Sequence, residues 1–435
     1  MKLLIKNGRV IDPANDRDGL FDVLVENGIV KSAEKQGRLA GKAVDNARVI
    51  NAQDCVVAPG FIDVHVHFRE PGFEYKETIR TGCESAAAGG FTSVAVMPNT
   101  HPVNDNRSVT ESILAAAKAG GIVNVFPIGA ITQGLNGEKI SEMWDMKEGG
   151  VIAYSDDGRP VMNNALMRRA FEYSRMVGLP LIQHSEVLDL TEGGCMNEGA
   201  VSTELGLKGM PTQAEDIMVY RDISLLEQTG GRLHVAHISS GKAVDLVRTA
   251  KAKGLPVTCE AAPHHFILTD EAVRGYDTNA KMSPPLRAQR DVDEIKRGLK
   301  DGTIDIIATD HAPHHVMDKE VEYSEACFGI VGLETALPLT LKLVEDKTLT
   351  LPQAVEKLTR EPARIFNLDK GSLSVGKAAD IVIFDPKASY TIDASKFRSK
   401  SKNTPFHGWK VKGKVLHTLV DGKIVFSQTD DNPER

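Results

Sequence analysis

The chain has 435 residues, 41% of them hydrophobic and 26% charged, and a net charge of −7. That composition belongs to an ordinary globular protein too long for one small core, so one large domain and a smaller one are expected. The acidic balance excludes a basic footprint for nucleic acid or an anionic membrane surface, and no apolar run approaches the ~18 residues of a membrane span.

The opening "MKLLIKNGRVID" has no apolar h-region, so no signal peptide is expected. Residues 1–55 predict short strands with tight turns. "LLIKNGRVI" and "VLVENGIVK" set Asn7-Gly8 and Asn27-Gly28 between apolar flanks, a hairpin signal in each case. Residues 56–370 change style, and short apolar runs alternate with helical stretches. "GFIDVHV" precedes "KETIRTGCESAAAGG", an alanine-rich helix stopped by glycine, and "FTSVAVMPN" precedes "RSVTESILAAAKAGG". "IVNVFPIGA", "GVIAYSD", "LPLIQHSE", "RLHVAHIS", "LPVTCEAAP" and "TIDIIATDHAP" follow. These make eight runs, the number that a TIM-like (β/α)8 barrel requires, so the fold class is α/β; the alternative, a doubly wound open sheet, accounts less well for the residues at the run ends. Residues 371–435 return to the opening style, with "DIVIFDP" and then "TLVDGKIVF" around Asp421-Gly422. Neither end has enough apolar strand for its own core, so both are expected to combine into one small β-sandwich domain. Cys55, Cys83, Cys195, Cys259 and Cys327 are scattered without a CxxC pair, which favours reduced thiols in the cytoplasm over a disulfide framework.

Most of the apolar runs end in a chemically active residue: His65 and His67, Asn99, Asp156 and Asp157, His184, His237, then Asp310 with His311 and His314 beyond. In a (β/α)8 barrel such ends gather at one face. His65 and His67 alternate, so on a strand both imidazoles point the same way and can chelate one ion. Imidazole and carboxylate donors together suit zinc or a related first-row ion better than calcium or magnesium. His65, His67, one of the two aspartates, His184, His237 and Asp310 are too many for one tetrahedral catalytic ion. They suit two neighbouring ions with a carboxylate between them. Asp156 and Asp157 face opposite ways, and spacing does not choose between them. His234 lies three residues before His237 and is expected on the other face. His264 and His265 are open between supporting the centre and polar packing, and His315, His407 and His417 read as surface or packing residues. Arg69 just past the first strand end can grip a carboxylate with its planar fork.

"PGFIDVHVHFREPG", "VMPNT", "SDDG", "ATDHAPH", "FGIVGLE" and "NTPFHG" (403–408) together resemble the amidohydrolase superfamily. More narrowly, they are similar to the bacterial dihydroorotase family of the class with an aspartate-bridged metal centre. "HFREPG" separates that family from hydantoinases and allantoinases better than HxH, which all share. The resemblance implies reversible cyclisation of N-carbamoyl-L-aspartate to L-dihydroorotate, a step of de novo pyrimidine biosynthesis. It implies one or two Zn2+ ions per subunit, with Asp157 as the bridge and His65, His67, His184, His237 and Asp310 as the other ligands. Metal-activated hydroxide would open the ring, with Asp310 as general acid and base. His67, Arg69, Asn99 and His314 would meet the substrate, with Phe328 and Gly329 at the ring edge. Ser283 in "KMSPPLR" replaces the asparagine common in relatives and puts that substrate contact in doubt. The implied partners are the small-molecule substrate, a second copy of the chain and aspartate carbamoyltransferase. The polar segment "HHVMDKEVEYSEAC" is open between a lid and a solvated loop. The rival readings are a hydantoinase or allantoinase, and an inactive scaffold subunit of the carbamoyltransferase. Scaffold relatives lose ligands, whereas this chain keeps all six.

Overall fold

The computed structural model describes residues 2–39 and 45–428, so the last residues of the expected closing β segment lie outside the described residues. The chain opens with strands β1 (Lys2–Asp12), β2 (Arg17–Glu26), β3 (Ile29–Lys35), β4 (Arg48–Asn51) and β5 (Val56–Pro59). Asn27-Gly28 forms the expected hairpin, with both residues left-handed (φ 53° and 84°) and Glu26 paired to Ile29. Asn7-Gly8 does not. It lies inside β1 as a bulge, with Asn7 at φ 65° and the register slipping between Ile5 and Gly8. Packing selects glycine there, because a Cβ on Gly8 would sit 2.6 Å from Val57 Cγ2 of β5.

All eight expected runs carry a strand: β6 (Phe61–Val66), β7 (Phe91–Val96), β8 (Asn124–Pro127), β9 (Tyr154–Ser155) and β10 (Leu181–Gln183). A small parallel pair, β11 (Met196–Asn197) and β12 (Gly209–Met210), interrupts the series before β13 (Leu233–Val235), β14 (Val257–Ala261) and β15 (Ile306–Ile307). Helices follow the eight strands in turn: Ile79–Ala88, Arg107–Gly120, Met143–Gly149, Asn164–Val177, Gln213–Thr229, Gly241–Ala252, Gln289–Asp301 and Ala336–Glu345. The strands pair in two parallel ladders, β6-β7-β8 and β9-β10-β13-β14-β15. Single parallel bridges join the ladders at both edges, Gly129 to Tyr154 and Val66 to His311. One apolar cluster fills the space between strands and helices, with Phe91, Val94, Tyr154, Phe171, Leu181 and Ile307 among its members. A second, with Ile62, Val64, Ala95, Ile128, Ala153, Ile182, Ala236 and Ile306 among its members, gathers aliphatic side chains from along the strands.

The chain closes with β16 (Ile381–Thr391), β17 (Lys410–Val420) and β18 (Lys423–Ser427), the last two joined at Asp421-Gly422. Both chain ends enter one continuous eight-stranded sheet, ordered β18-β17-β16-β5-β1-β2-β3 with β4 on β1. The ladder folds over a core of its own, where Val23, Val25 and Val30 from one end meet Ile381, Ile383 and Leu419 from the other. The junction also lies later than residue 55, because Val56–Pro59 pairs with β1 and β16 before the chain enters β6. Alternate residues of this sheet serve two cores. Val57, Ile381 and Ile383 face the sheet's own cluster, while Val56, Ala58, Val382 and Phe384 pack on the large domain. Among the described residues, no helix is long and apolar enough to cross a membrane.

Candidate functional site

His65, His67, Asp157, His184, His237 and Asp310, drawn from five strand ends, meet in one buried cluster. Asp157 lies at its centre. Its carboxylate is 3.3 Å from His65 Nε2, 3.5 Å from His67 Nε2, 3.7 Å from His184 Nδ1 and 3.6 Å from His237 Nε2. Asp310 Oδ1 is 3.1 Å from His67 Nε2 and 3.5 Å from His65 Nε2. Three overlapping sets bring their donor atoms within 4.8 Å of one another: His65, His67, Asp157; Asp157, His184, His237; and His65, His237, Asp310.

The outer nitrogens explain how the rings are aimed. His65 Nδ1 meets Glu260 Oε1 at 2.5 Å, His67 Nδ1 meets Asn99 Oδ1 at 2.9 Å, and His184 Nε2 meets Glu186 Oε2 at 2.9 Å. Each partner oxygen can only accept, so the proton sits on the outer nitrogen and the lone pair turns to the centre. His65 Nε2 and Asp157 Oδ1 are buried there without a hydrogen-bond partner among the described residues, although ionic neighbours stand close. Buried orphan donors converging in overlapping triples fit a divalent cation. Burial would raise the carboxyls of Glu260 and Glu186. The imidazoles of His65 and His234 hold the first down at about 2, and the bond from His184 does the same for the second.

Asp156 faces away from the cluster, where its carboxylate accepts the backbone N–H groups of Ile131 (2.8 Å) and Thr132 (3.0 Å). His234 also stands outside it, as expected from the strand alternation. Its Nε2 reaches Glu260 Oε2 at 3.0 Å and its Nδ1 reaches Thr258 Oγ1 at 2.8 Å. His265 Nε2 donates to the carbonyl of Pro284 at 2.9 Å, whereas His264 is buried with Nε2 unpartnered among the described residues, and burial pushes its pKa down to about 4.

A cavity of about 1000 Å³ opens over the cluster, lined by His67, Asn99, Asp157, His184, His237 and Asp310 and by Arg69, Ser283, His314 and Phe328. Arg69 is anchored through Nε to the carbonyl of Pro313 at 3.2 Å, with a terminal nitrogen 3.3 Å from His314 Nε2. Ser283 Oγ donates to Glu186 Oε2 at 3.1 Å. Gly329 sits behind this wall at φ +154°, where a Cβ would come within 2.6 Å of both Ala312 O and His314 Cδ2. Arg69 (φ 64°), His237 (φ 30°) and Asp310 (φ 48°) hold left-handed backbone that side chains rarely adopt, and such strain concentrates at working sites.

Several supporting residues carry no signal in the sequence. Glu260 reads as an interior strand residue until its partner His65, 195 residues away, is beside it. Lys319 lies in the polar segment left open between a lid and a solvated loop; it is buried, and its Nζ donates to the carbonyls of Cys327 (2.7 Å) and Gly329 (3.1 Å). Burial pushes its ammonium down to about 7. Asn403 from "NTPFHG" donates to Gly329 O at 2.9 Å and accepts from His314 N at 3.0 Å, so the segment after β16 helps to build the cavity wall.

A model of the amidohydrolase family matches residues 56–425. The chain is 57% identical over 428 residues to a dihydroorotase of Geobacter metallireducens, an alignment spanning 98% of this chain and 100% of that protein. It is 52% identical over 428 residues to a dihydroorotase of Syntrophus aciditrophicus, with the same coverage. Among solved structures, an L-hydantoinase (dihydropyrimidinase) from Arthrobacter aurescens superposes with a TM-score of 0.88 at 26% identity, covering 98% of this chain and 96% of that one. A dihydropyrimidinase from Brevibacillus agri, at 23% identity and a TM-score of 0.85, covers 98% and 95% and shares the fold. Matched along most of its length by one family and end to end by proteins of one activity, the chain belongs to the amidohydrolase family and, within it, to the dihydroorotases.

Proposed function

We propose that the chain interconverts N-carbamoyl-L-aspartate and L-dihydroorotate in the cytoplasm, at a two-zinc centre on the rim of a closed (β/α)8 barrel. The two ladders bridged at both edges support the closed barrel. The mixed nitrogen and oxygen donors favour zinc, and two donor sets sharing Asp157 favour two ions. The observation that carries the reading is the pairing, across one cavity, of this donor cluster with a carboxylate seat made by Arg69, Asn99 and His314.

Cations held there would bring the pKa of a water near neutrality and polarise a carbonyl oxygen. The remaining work falls to side chains. Arg69 and His314 fix the ring carboxylate, and Asn99, whose Oδ1 is taken by His67, has its amide N–H groups left for the same anion. Asp310, beside His67 Nε2, takes the proton of the attacking water and returns it to the departing ring nitrogen, as base and then acid. Closure runs the same path backwards. It consumes one proton, because a carboxylate becomes an amide, so acid favours the ring and alkali the open form. Hydantoin carries no ring carboxylate and would leave Arg69 unmatched. A side-by-side rate measurement on dihydroorotate and hydantoin tests the reading, and faster hydantoin turnover would overturn it.

Two smaller effects follow from the supporting shell. Glu260→Gln weakens the acceptor that aims His65, so cation affinity should fall about 10–100-fold in a chelator competition. Ser283→Asn adds an amide where the serine hydroxyl is committed to Glu186. One extra neutral hydrogen bond is worth ~1 kcal/mol, so KM for dihydroorotate should drop about fivefold in steady-state assays. An unchanged KM would place the substrate beyond reach of this position.

A further inference from the structure

Besides the Phe328 backbone carbonyl, which accepts from the ring, His314 stands between two groups that can only donate. Lys76 Nζ is 3.2 Å from Nδ1, and a terminal nitrogen of Arg69 is 3.3 Å from Nε2. The ring is buried, and burial with the charges of Arg69, Lys76 and Lys319 holds its pKa well below the ordinary histidine value, so it is neutral. A neutral imidazole has one N–H and one lone pair. It can therefore accept from one of these cations and must turn an N–H toward the other.

Position decides which. Lys76 lies behind the ring and is not part of the cavity wall, whereas Arg69 and His314 both are. Lys76 is also fixed where it stands. Its Nζ is 3.2 Å from Asp318 Oδ2, its carbonyl accepts from Ser401 Oγ at 2.6 Å, and the Tyr75 ring lies 5.4 Å below the ammonium. Asp318 is 3.8 Å from His314 Nδ1, farther than the lysine and beyond hydrogen-bond reach. The lone pair thus belongs on Nδ1, facing Lys76, and the proton on Nε2, facing Arg69. Two donors 3.3 Å apart cannot satisfy one another. They are satisfied together by an acceptor placed between them, and a carboxylate oxygen is such an acceptor.

We propose that Lys76 is a positioning residue that sets the tautomer of His314, so that Nε2–H and the Arg69 guanidinium converge as a two-donor socket for the substrate carboxylate. The inference rests on the dihydroorotase reading for the identity of that anion. Lys76 touches no substrate and acts through the imidazole. Removing its ammonium takes away the donor that keeps the lone pair on Nδ1, so the proton can settle there and leave Nε2 as a lone pair facing the carboxylate. One donor then becomes a repelling acceptor, while the chemistry beside Asp310 is untouched.

The test has two readouts on the metal-loaded full chain. Steady-state kinetics should show KM for dihydroorotate and for N-carbamoyl-L-aspartate raised about tenfold in Lys76→Met, with kcat held within about twofold and KM restored in Lys76→Arg. Histidine-selective 15N spectra, with the His314 signal identified by its loss in His314→Asn, should show a protonated Nε2 and a bare Nδ1 in the wild type. A wild-type His314 protonated on Nδ1 would overturn the inference whether or not Lys76→Met folds, as would an unchanged KM in an active Lys76→Met enzyme. A wild-type protein inactive on both substrates would instead overturn the functional reading, and the 15N measurement would still decide the tautomer.

Discussion

Asp310→Asn should lower kcat at least about 1000-fold in both directions while leaving the fold intact. Asparagine is the informative replacement because of the backbone. Asp310 sits at φ 48°, a conformation that asparagine tolerates and alanine resists, so the alanine variant would mix strain with lost chemistry. The amide also matches the carboxylate in shape. It can still lie against His67 Nε2, where Asp310 Oδ1 now stands at 3.1 Å, yet it cannot accept the proton of the attacking water or hand it to the ring nitrogen. The loss should therefore fall on kcat, with KM for dihydroorotate little changed, because the carboxylate seat at Arg69 and His314 is separate. Circular dichroism and a melting curve check the fold, and elemental analysis separates a lost proton carrier from a lost cation. Near-normal turnover in a folded, metal-loaded Asp310→Asn enzyme would remove Asp310 from the acid-base role.

The parts of this site legible in the sequence are those that depend on one strand at a time. His65 and His67 announce themselves by alternation, and His184, His237 and Asp310 by ending apolar runs, because the strand period and the common direction of the strand ends are local properties. The choice between Asp156 and Asp157 is not local. It depends on Asp156 being taken by the backbone of Ile131 and Thr132 on the neighbouring segment. Glu260 and Lys76 were silent for the same reason, since each matters only through a partner brought from 195 or 238 residues away. Asn7-Gly8 shows the same limit in the fold. A hairpin and a bulge both need a left-handed residue, and the close approach of Val57 to Gly8, which no local pattern reveals, accompanies the bulge.

The second large effect should come from Asp157→Asn, and its signature is a coupling between metal and stability. Among the described residues, Asp157 is the one side chain within 3.7 Å of all four clustered imidazoles, so both donor sets that contain it fail when its charge is removed. Elemental analysis should find the variant with under half the cation content of the wild type, and turnover should fall at least about 1000-fold. Chelation of the wild type supplies the matching control. A cation held at about 1000 times its Kd stabilises the native state by ~4 kcal/mol, so stripping it should lower Tm on the order of 5 °C and abolish activity together. The variant, having little cation to lose, should melt at the same temperature with and without chelator. Asp157→Asn also removes the carboxylate that faces all four buried imidazoles, so its own Tm should lie at or below that of the chelated wild type. A variant that kept both its cations and its chelator-sensitive melting would take Asp157 out of the bridging position and leave the centre to the His65, His237 and Asp310 set.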